Sequence, residues 1–282
     1  MPPPSDPAEL ALTVQPVTVA DNEGNGIPQT PIYRLRPGRD YGFTPSTTGK
    51  PDDGRFKLQE KPIVWLGPKV DTSAGGQVWA PIAHTSGSEG KSWGPLSGKL
   101  LHTSYGNCAL FHLMIDKTAD PWQGAVWKFP FTFNSGIMRA RFHPVDGQLY
   151  LCGLRGWGTS AVKDGQFCRV RFTGKSAPIP VGYRFLKTGL EFTFSDPLDK
   201  TSAEDDEKWA GTWSEALKKT PSAKELQEIR ITTVRPSADR KTVTVGLDKV
   251  CAVPNFALQY GIKAADGSKV SGELHGTIHC VP

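Results

Sequence analysis

From Ile137 to Phe142 large and basic side chains alternate, the two-residue period of a strand with one buried face. Pro144-Val145-Asp146-Gly147 then supplies turn chemistry, Gln148 to Cys152 forms a second β-rich run, and Phe167 to Phe172 a third. The same rhythm runs through most of the chain. Short apolar runs at Ile63–Leu66, Gln77–Ala80, Leu100–Tyr105 and Ala109–Ile115 are separated by glycine, proline and polar clusters. Farther on, Leu190, Phe192 and Phe194 point one way while Glu191 and Thr193 point the other, as in a half-exposed antiparallel strand. Ile229–Val234, Thr242–Leu247, Ala257–Lys263 and Gly272–Val281 follow, with an Asp266-Gly267 hairpin between the last two. Between them, Trp209 and Trp213 in the segment Thr201–Glu225 are spaced either for one face of a helix or as anchors of a long loop.

A unit of strand, glycine-containing loop and strand recurs three times, with loops near Asp21–Gly26, Gly106–Asn107 and Gly153–Gly158. Ile32–Arg36 and Phe167–Arg171 share one pattern, two apolar residues, Arg, apolar, Arg. A unit that cannot bury its own faces and repeats at this length predicts radial stacking of the β-propeller kind, three unrelated hairpins in a sandwich being the alternative. The fold class expected is therefore all-β: a partial β-propeller of about two and a half blades over 11–177, then a small Ig-like β-sandwich over 178–282. Residues 1–10 are Pro-rich and expected to be disordered, and Leu10–Ala20 reads as a strand interrupted by Pro16. The boundary is placed in the Pro-rich Ala177–Val181, with the tail as the more autonomous half.

Charge changes this picture little. Up to Ala177 there are 19 basic and 14 acidic residues, and 14 of each afterwards, so the formal +5 lies entirely in the first part. It is too thinly spread for the dense stripe that nucleic acid usually needs, and no nucleic-acid partner is expected. Five cysteines form neither CxxC nor CxxCH, which supports neither a zinc knuckle nor covalent haem. Wide spacing and an odd count fit mostly free thiols, with Cys152–Cys168 across a hairpin, or Cys251–Cys280 between tail strands, as the pairs that could close. No apolar run reaches membrane-spanning length, and Met1-Pro2-Pro3-Pro4 has no signal-peptide pattern.

The segment FNSGIMRARFHPVDGQLYLCGLRGWGTS resembles the last blade of sorbosone/glucose-dehydrogenase-like propellers. The pieces DNEGNGIP, RPGRDYGF, GGQVW and WGPLSGKLLHTSYG match that group in order, most closely a subgroup in planctomycete-type bacteria. There an Ig-like domain, similar to LEFTFSDPLD, SADRKTVTV and KAADGSKVSGELHGTIH, follows the propeller, often beside a cytochrome c module. The resemblance covers nearly the whole chain from Val19 onward. It implies a periplasmic or extracellular location, chemistry on a sugar or alcohol, and pyrroloquinoline quinone with calcium as cofactors. Such propellers have six blades, and the early ones carrying the group's catalytic histidine have no counterpart here, nor does the cytochrome module. A truncated module inactive by itself is thus expected. Its partners would be a missing propeller fragment, a cytochrome c, or a second copy through open blade edges. An oxidoreductase subunit completed by a partner chain and a non-catalytic binding or assembly module are the alternatives.

On that resemblance the channel rim would carry Asp21, Asn22, Glu23, Asn107, Asn134, Ser135, Arg155 and Trp157. An Arg in a Gly-rich loop suits an anionic cofactor or substrate, or else pairs with an acidic residue of a neighbouring blade. Asp21 and Glu23 could supply hard oxygen ligands to calcium, or simply cap their loop. His143 lacks an identifiable carboxylate partner for general-base work, so turn geometry is expected of it. His102 and His112 lie on adjacent strands and could face each other, while His275 and His279 read as surface residues.

Overall fold

The computed structural model describes residues 15–24, 27–42, 60–82 and 93–282. The expected disordered stretch 1–10 and most of the excursion Asp40–Lys61 lie outside the described residues. The chain is all-β, built from several antiparallel sheets, none of them closed.

Three meanders come first. β1 (Thr18–Ala20), β2 (Thr30–Arg34) and β3 (Val64–Leu66) form one sheet. β4 (Ala74–Trp79), β5 (Leu100–Ser104), β6 (Ala109–Asp116) and β7 (Gln123–Lys128) form the next meander, and β8 (Gly136–Phe142), β9 (Leu149–Leu154) and β10 (Gly165–Val170) the third. The three repeated strand–loop–strand units of the sequence are the hairpins β1–β2, β5–β6 and β9–β10.

The period of two explains why they stack. In the middle meander Leu100, Phe111, Leu113 and Val126 pack with Ile32, Val64 and Leu66 of the first. Leu101 and Leu110, one residue along and so on the opposite face, pack with Ile137, Ala140, Leu149 and Leu151 of the third. Both faces of β5 and β6 are therefore dry, while β4 at the sheet edge is half-buried along its length. Where β4 approaches β8 the fit is tight enough that a side chain on Gly75 would run into the Ile137 carbonyl.

The remaining strands make a two-sheet sandwich. β11 (Pro180–Leu186), β12 (Gly189–Phe194), β16 (Thr242–Leu247) and β15 (Ile231–Pro236) form a four-stranded sheet in the order 11-12-16-15. Leu190, Phe192 and Phe194 turn inward from it, as their alternation predicts, onto β13 (Trp209–Ser214), β17 (Val253–Lys263) and β18 (Lys269–Ile278). Trp209 and Trp213 sit on strand β13, not on a helix: a spacing of four is even, so it also keeps two residues on one face of a strand. The α-helix in this segment is the short Lys200–Glu204, capped by Asp199, whose side chain accepts from Ser202 N.

The expected boundary near 177/178 falls in the connection between β10 and β11, and hydrogen-bonded structure runs across it. β18 pairs with β7, with Leu274 opposite Trp127 and His275 opposite Val126. With β14 (Gln227–Glu228), one eight-stranded sheet of order 14-13-17-18-7-6-5-4 joins sandwich and meander. Met114, Ala125 and Trp127 belong to the sandwich core. The first meander is joined to the sandwich by the amides of Gln29 and Asn255, which exchange hydrogen bonds of 2.8 and 2.9 Å, and by Trp65 N donating to Thr277 Oγ1.

Candidate functional site

Hydrogen bonds join several of the loops that carry the candidate residues to neighbouring loops. Asn22 Oδ1 accepts from Ser73 Oγ and Ala74 N, at 3.3 and 3.1 Å. Asn107 Nδ2 donates to the Val70 carbonyl at 2.8 Å, and Tyr105 OH to the Trp157 carbonyl at 3.2 Å. Asn134 and Ser135 donate their backbone N–H groups to Gln166 Oε1, and the buried Ser135 hydroxyl donates to the Lys163 carbonyl at 2.7 Å. These polar side chains join loop to loop.

Beneath them lies a buried cluster that sequence reading missed. Asp71 Oδ2 accepts from His102 Nε2 at 2.6 Å, and Asp71 Oδ1 accepts from Ser104 Oγ at 2.6 Å and from Ser73 N at 3.1 Å. Gln77 Nε2 lies 3.0 Å from His102 Nδ1, and Thr30 Oγ1 donates to the Asp71 carbonyl. The order of the groups matters. Serine and histidine both address the carboxylate, and the serine hydroxyl does not donate to the imidazole, so the cluster is no relay for activating a nucleophile. Asp71, His102 and Ser104 are all buried. The cluster holds the first and second meanders together.

Arg155 Nη1 stands 4.0 Å from Asp164 Oδ1, an acid on its own hairpin, and its backbone N–H donates to the Asp164 carbonyl. Trp157 is 97% exposed, with no protein wall to sandwich a quinone against it. Asp21 Oδ1 accepts from Asn22 N, and Glu23 forms an ion pair with Lys219 at 2.6 Å. Asp21, Asn22 and Glu23 thus direct their oxygens at separate protein partners and do not fit a calcium cage, which needs them convergent. Among the described residues no three His, Cys, Asp or Glu side chains come together as metal ligands.

Other expectations are corrected by register. His102 lies opposite Phe111 and His112 opposite Leu101, so the two imidazoles leave opposite faces of the sheet. Cys152 lies opposite Phe167, and Cys168 opposite Leu151, so these thiols also diverge. All five cysteines are free, and the Cys251–Cys280 bridge does not form either. His279 is half-buried and engaged, not a free surface residue: Nε2 lies 2.7 Å from the Pro62 carbonyl, and burial lowers its pKa. His275 pairs with Glu273 at 3.2 Å. His143 Nδ1 accepts from the Val145 and Asp146 N–H groups, the turn role expected of it, but a carboxylate partner is present after all, with Asp146 Oδ1 3.4 Å from the same nitrogen.

His112 is fully buried at the junction with β11, where Nδ1 donates to the Pro180 carbonyl at 3.0 Å. Burial drives its pKa from 6.5 down to about 4. The folded state therefore holds this imidazole neutral where the unfolded chain would already protonate it. The associated stability is complete above pH 6.5 and declines as pH falls toward about 4, a loss of about 3 kcal/mol by linkage. His279 adds to the same trend. Urea midpoints measured from pH 7 to 4 should fall less steeply in His112→Gln than in the wild type. Parallel profiles would refute the assignment.

The third meander leaves one face uncovered. Across β8, β9 and β10 one row reads Arg141, Tyr150, Arg169, and the next Arg139, Cys152, Phe167. These residues face away from the core formed by Ala140, Leu149 and Leu151. Phe167 is 75% exposed, and its ring stacks on Tyr150 with centroids 5.7 Å apart.

No family model matches this chain, and no curated protein does.

Proposed function

We propose that the chain is a non-catalytic binding or assembly module. In this reading the three meanders are an open arc of the propeller kind, the two-sheet part is an Ig-like sandwich, and the whole is related to sorbosone/glucose-dehydrogenase-like proteins. The observation that carries the reading is the uncovered face of β8–β9–β10. The middle meander buries Leu100, Phe111, Leu113 and Val126 on one side and Leu101 and Leu110 on the other, while the third sets Phe167, Leu154 and Cys152 against solvent. Exposed aromatic side chains beside arginines are the composition of interface centres. The candidate loops support the same reading, because their amides and hydroxyls are engaged in bonding the loops to one another.

Purified chain supplied with pyrroloquinoline quinone, calcium and a dye acceptor is expected to show no turnover of aldoses or polyols. Calcium is expected to leave its melting temperature unchanged. Turnover that disappears on Arg155→Ala would overturn the reading and restore the rim as a catalytic site.

A further inference from the structure

We infer that the outward face of β8–β9–β10 docks a polypeptide surface in which carboxylates surround apolar side chains. The inference deepens the binding-module reading and rests on it.

Charge supports the inference first. Between Asn134 and Ala177 there are seven basic residues and two acidic ones, an excess equal to the net +5 of the entire chain. The rest of the protein is balanced; this meander alone is strongly cationic. Of its two acids, Asp146 accepts from Tyr150 OH at 2.8 Å, and Asp164 lies beside Arg155. Arg139, Arg141 and Arg169 stand exposed on the face itself. Arg139 and Arg141 each donate from Nη1 to backbone carbonyls, which orders their planar heads. An ordered guanidinium is suited to a carboxylate, which it can grip through two parallel hydrogen bonds.

Shape and polarity come second. The Tyr150–Phe167 stack and Leu154 lie between and beyond the arginines, so a purely ionic partner would leave them wet. An apolar centre on the partner would cover them, at about 25 cal/mol for each Å² removed from water. A second copy of this chain is the wrong occupant. Face to face, two copies would set arginine against arginine, and like charges across an interface oppose docking. The neighbouring meander shows what cover of this kind looks like in protein, with Leu101 and Leu110 packed against the other side of the same three strands.

A random copolymer of glutamate and tyrosine is a direct probe, with polyglutamate as the charge-only comparison. Biolayer interferometry at low salt should show the copolymer binding about tenfold more tightly than polyglutamate, because aromatic residues supply hot-spot contacts. Arg141→Glu/Arg169→Glu should weaken the copolymer about tenfold or more through lost complementarity. Phe167→Ser should weaken the copolymer about tenfold while leaving polyglutamate unchanged. Lys187→Glu/Lys263→Glu makes the same change in net charge on exposed positions of the sandwich and should leave binding as it was. Far-UV circular dichroism verifies that each variant is folded. Equal losses in the two charge variants would overturn the inference, as would failure of the copolymer to bind. Tighter binding of a thymidine oligonucleotide through the same arginines would also overturn it and assign the face to nucleic acid. Dehydrogenase turnover bears only on the binding-module reading, so the two can fail separately.

Discussion

Replacing Asp71 by alanine is expected to destabilise the protein by about 3–5 kcal/mol, the effect of removing one member of a buried charged network. The substitution strands several donors at once. Ser104 Oγ, Ser73 N and His102 Nε2 all end on this one carboxylate, and all but Ser73 belong to fully buried residues. Water cannot replace the acceptor without a cavity to enter, so each donor bears its own desolvation penalty. Asp71→Asn should fall between, near about 1–3 kcal/mol, because the amide keeps one acceptor oxygen but turns a second donor toward His102. Urea denaturation followed by tryptophan fluorescence gives the difference directly. A loss under about 1 kcal/mol in the alanine variant would mean that the network adds little to holding the first two meanders together.

Trp127→Ala should remove about 3–5 kcal/mol, as emptying a large aromatic site usually does, and the loss should be felt in both parts of the chain. Trp127 is 4% exposed on β7, the strand at which meander and sandwich become one sheet. The core cluster it belongs to includes Met114 of β6 together with residues of β11 to β13 and β15 to β18. Native-state hydrogen exchange should therefore show amides of β5–β6 and of β12–β16 losing protection by the same free energy. Loss confined to one side would show that the seam transmits little and that the sandwich is energetically separate.

How much of this could be read from the sequence depended on the range of the signal. The strand pattern was local and legible: Leu190, Phe192 and Phe194 turn inward together, the Asp266-Gly267 turn joins β17 to β18, and Gly267 adopts the positive φ of 83° that such a turn favours. Pairing between distant strands leaves no such trace. Nothing in QGAVWK or KVSGELHGTI announces that β7 and β18 are neighbours, since both simply look like strands. Periodicity likewise could not give register, and one residue of register separates a facing pair from a diverging one, as with His102 and His112 or Cys152 and Cys168. The glycine-containing loops between strands were legible as breaks in the pattern, while only the resemblance assigned them to a rim. The buried cluster was missed because Asp71 stands alone in a loop, with no spacing that ties it to His102 and Ser104, 31 and 33 residues on.

The seam also constrains the order of events when the chain is made. Gln123, on β7, receives through its side-chain oxygen the backbone N–H of His279, a residue 156 positions later. During synthesis one flank of β7 must remain without its final neighbour until nearly all of the sandwich has emerged. An open strand edge held that long is a template for pairing with the wrong chain. Contacts of such sequence separation also slow folding, since a large loop must close before they form. Slow translation and low expression temperature should therefore favour soluble product, and the nascent chain is most exposed to misassembly after β7 has folded and before β18 arrives.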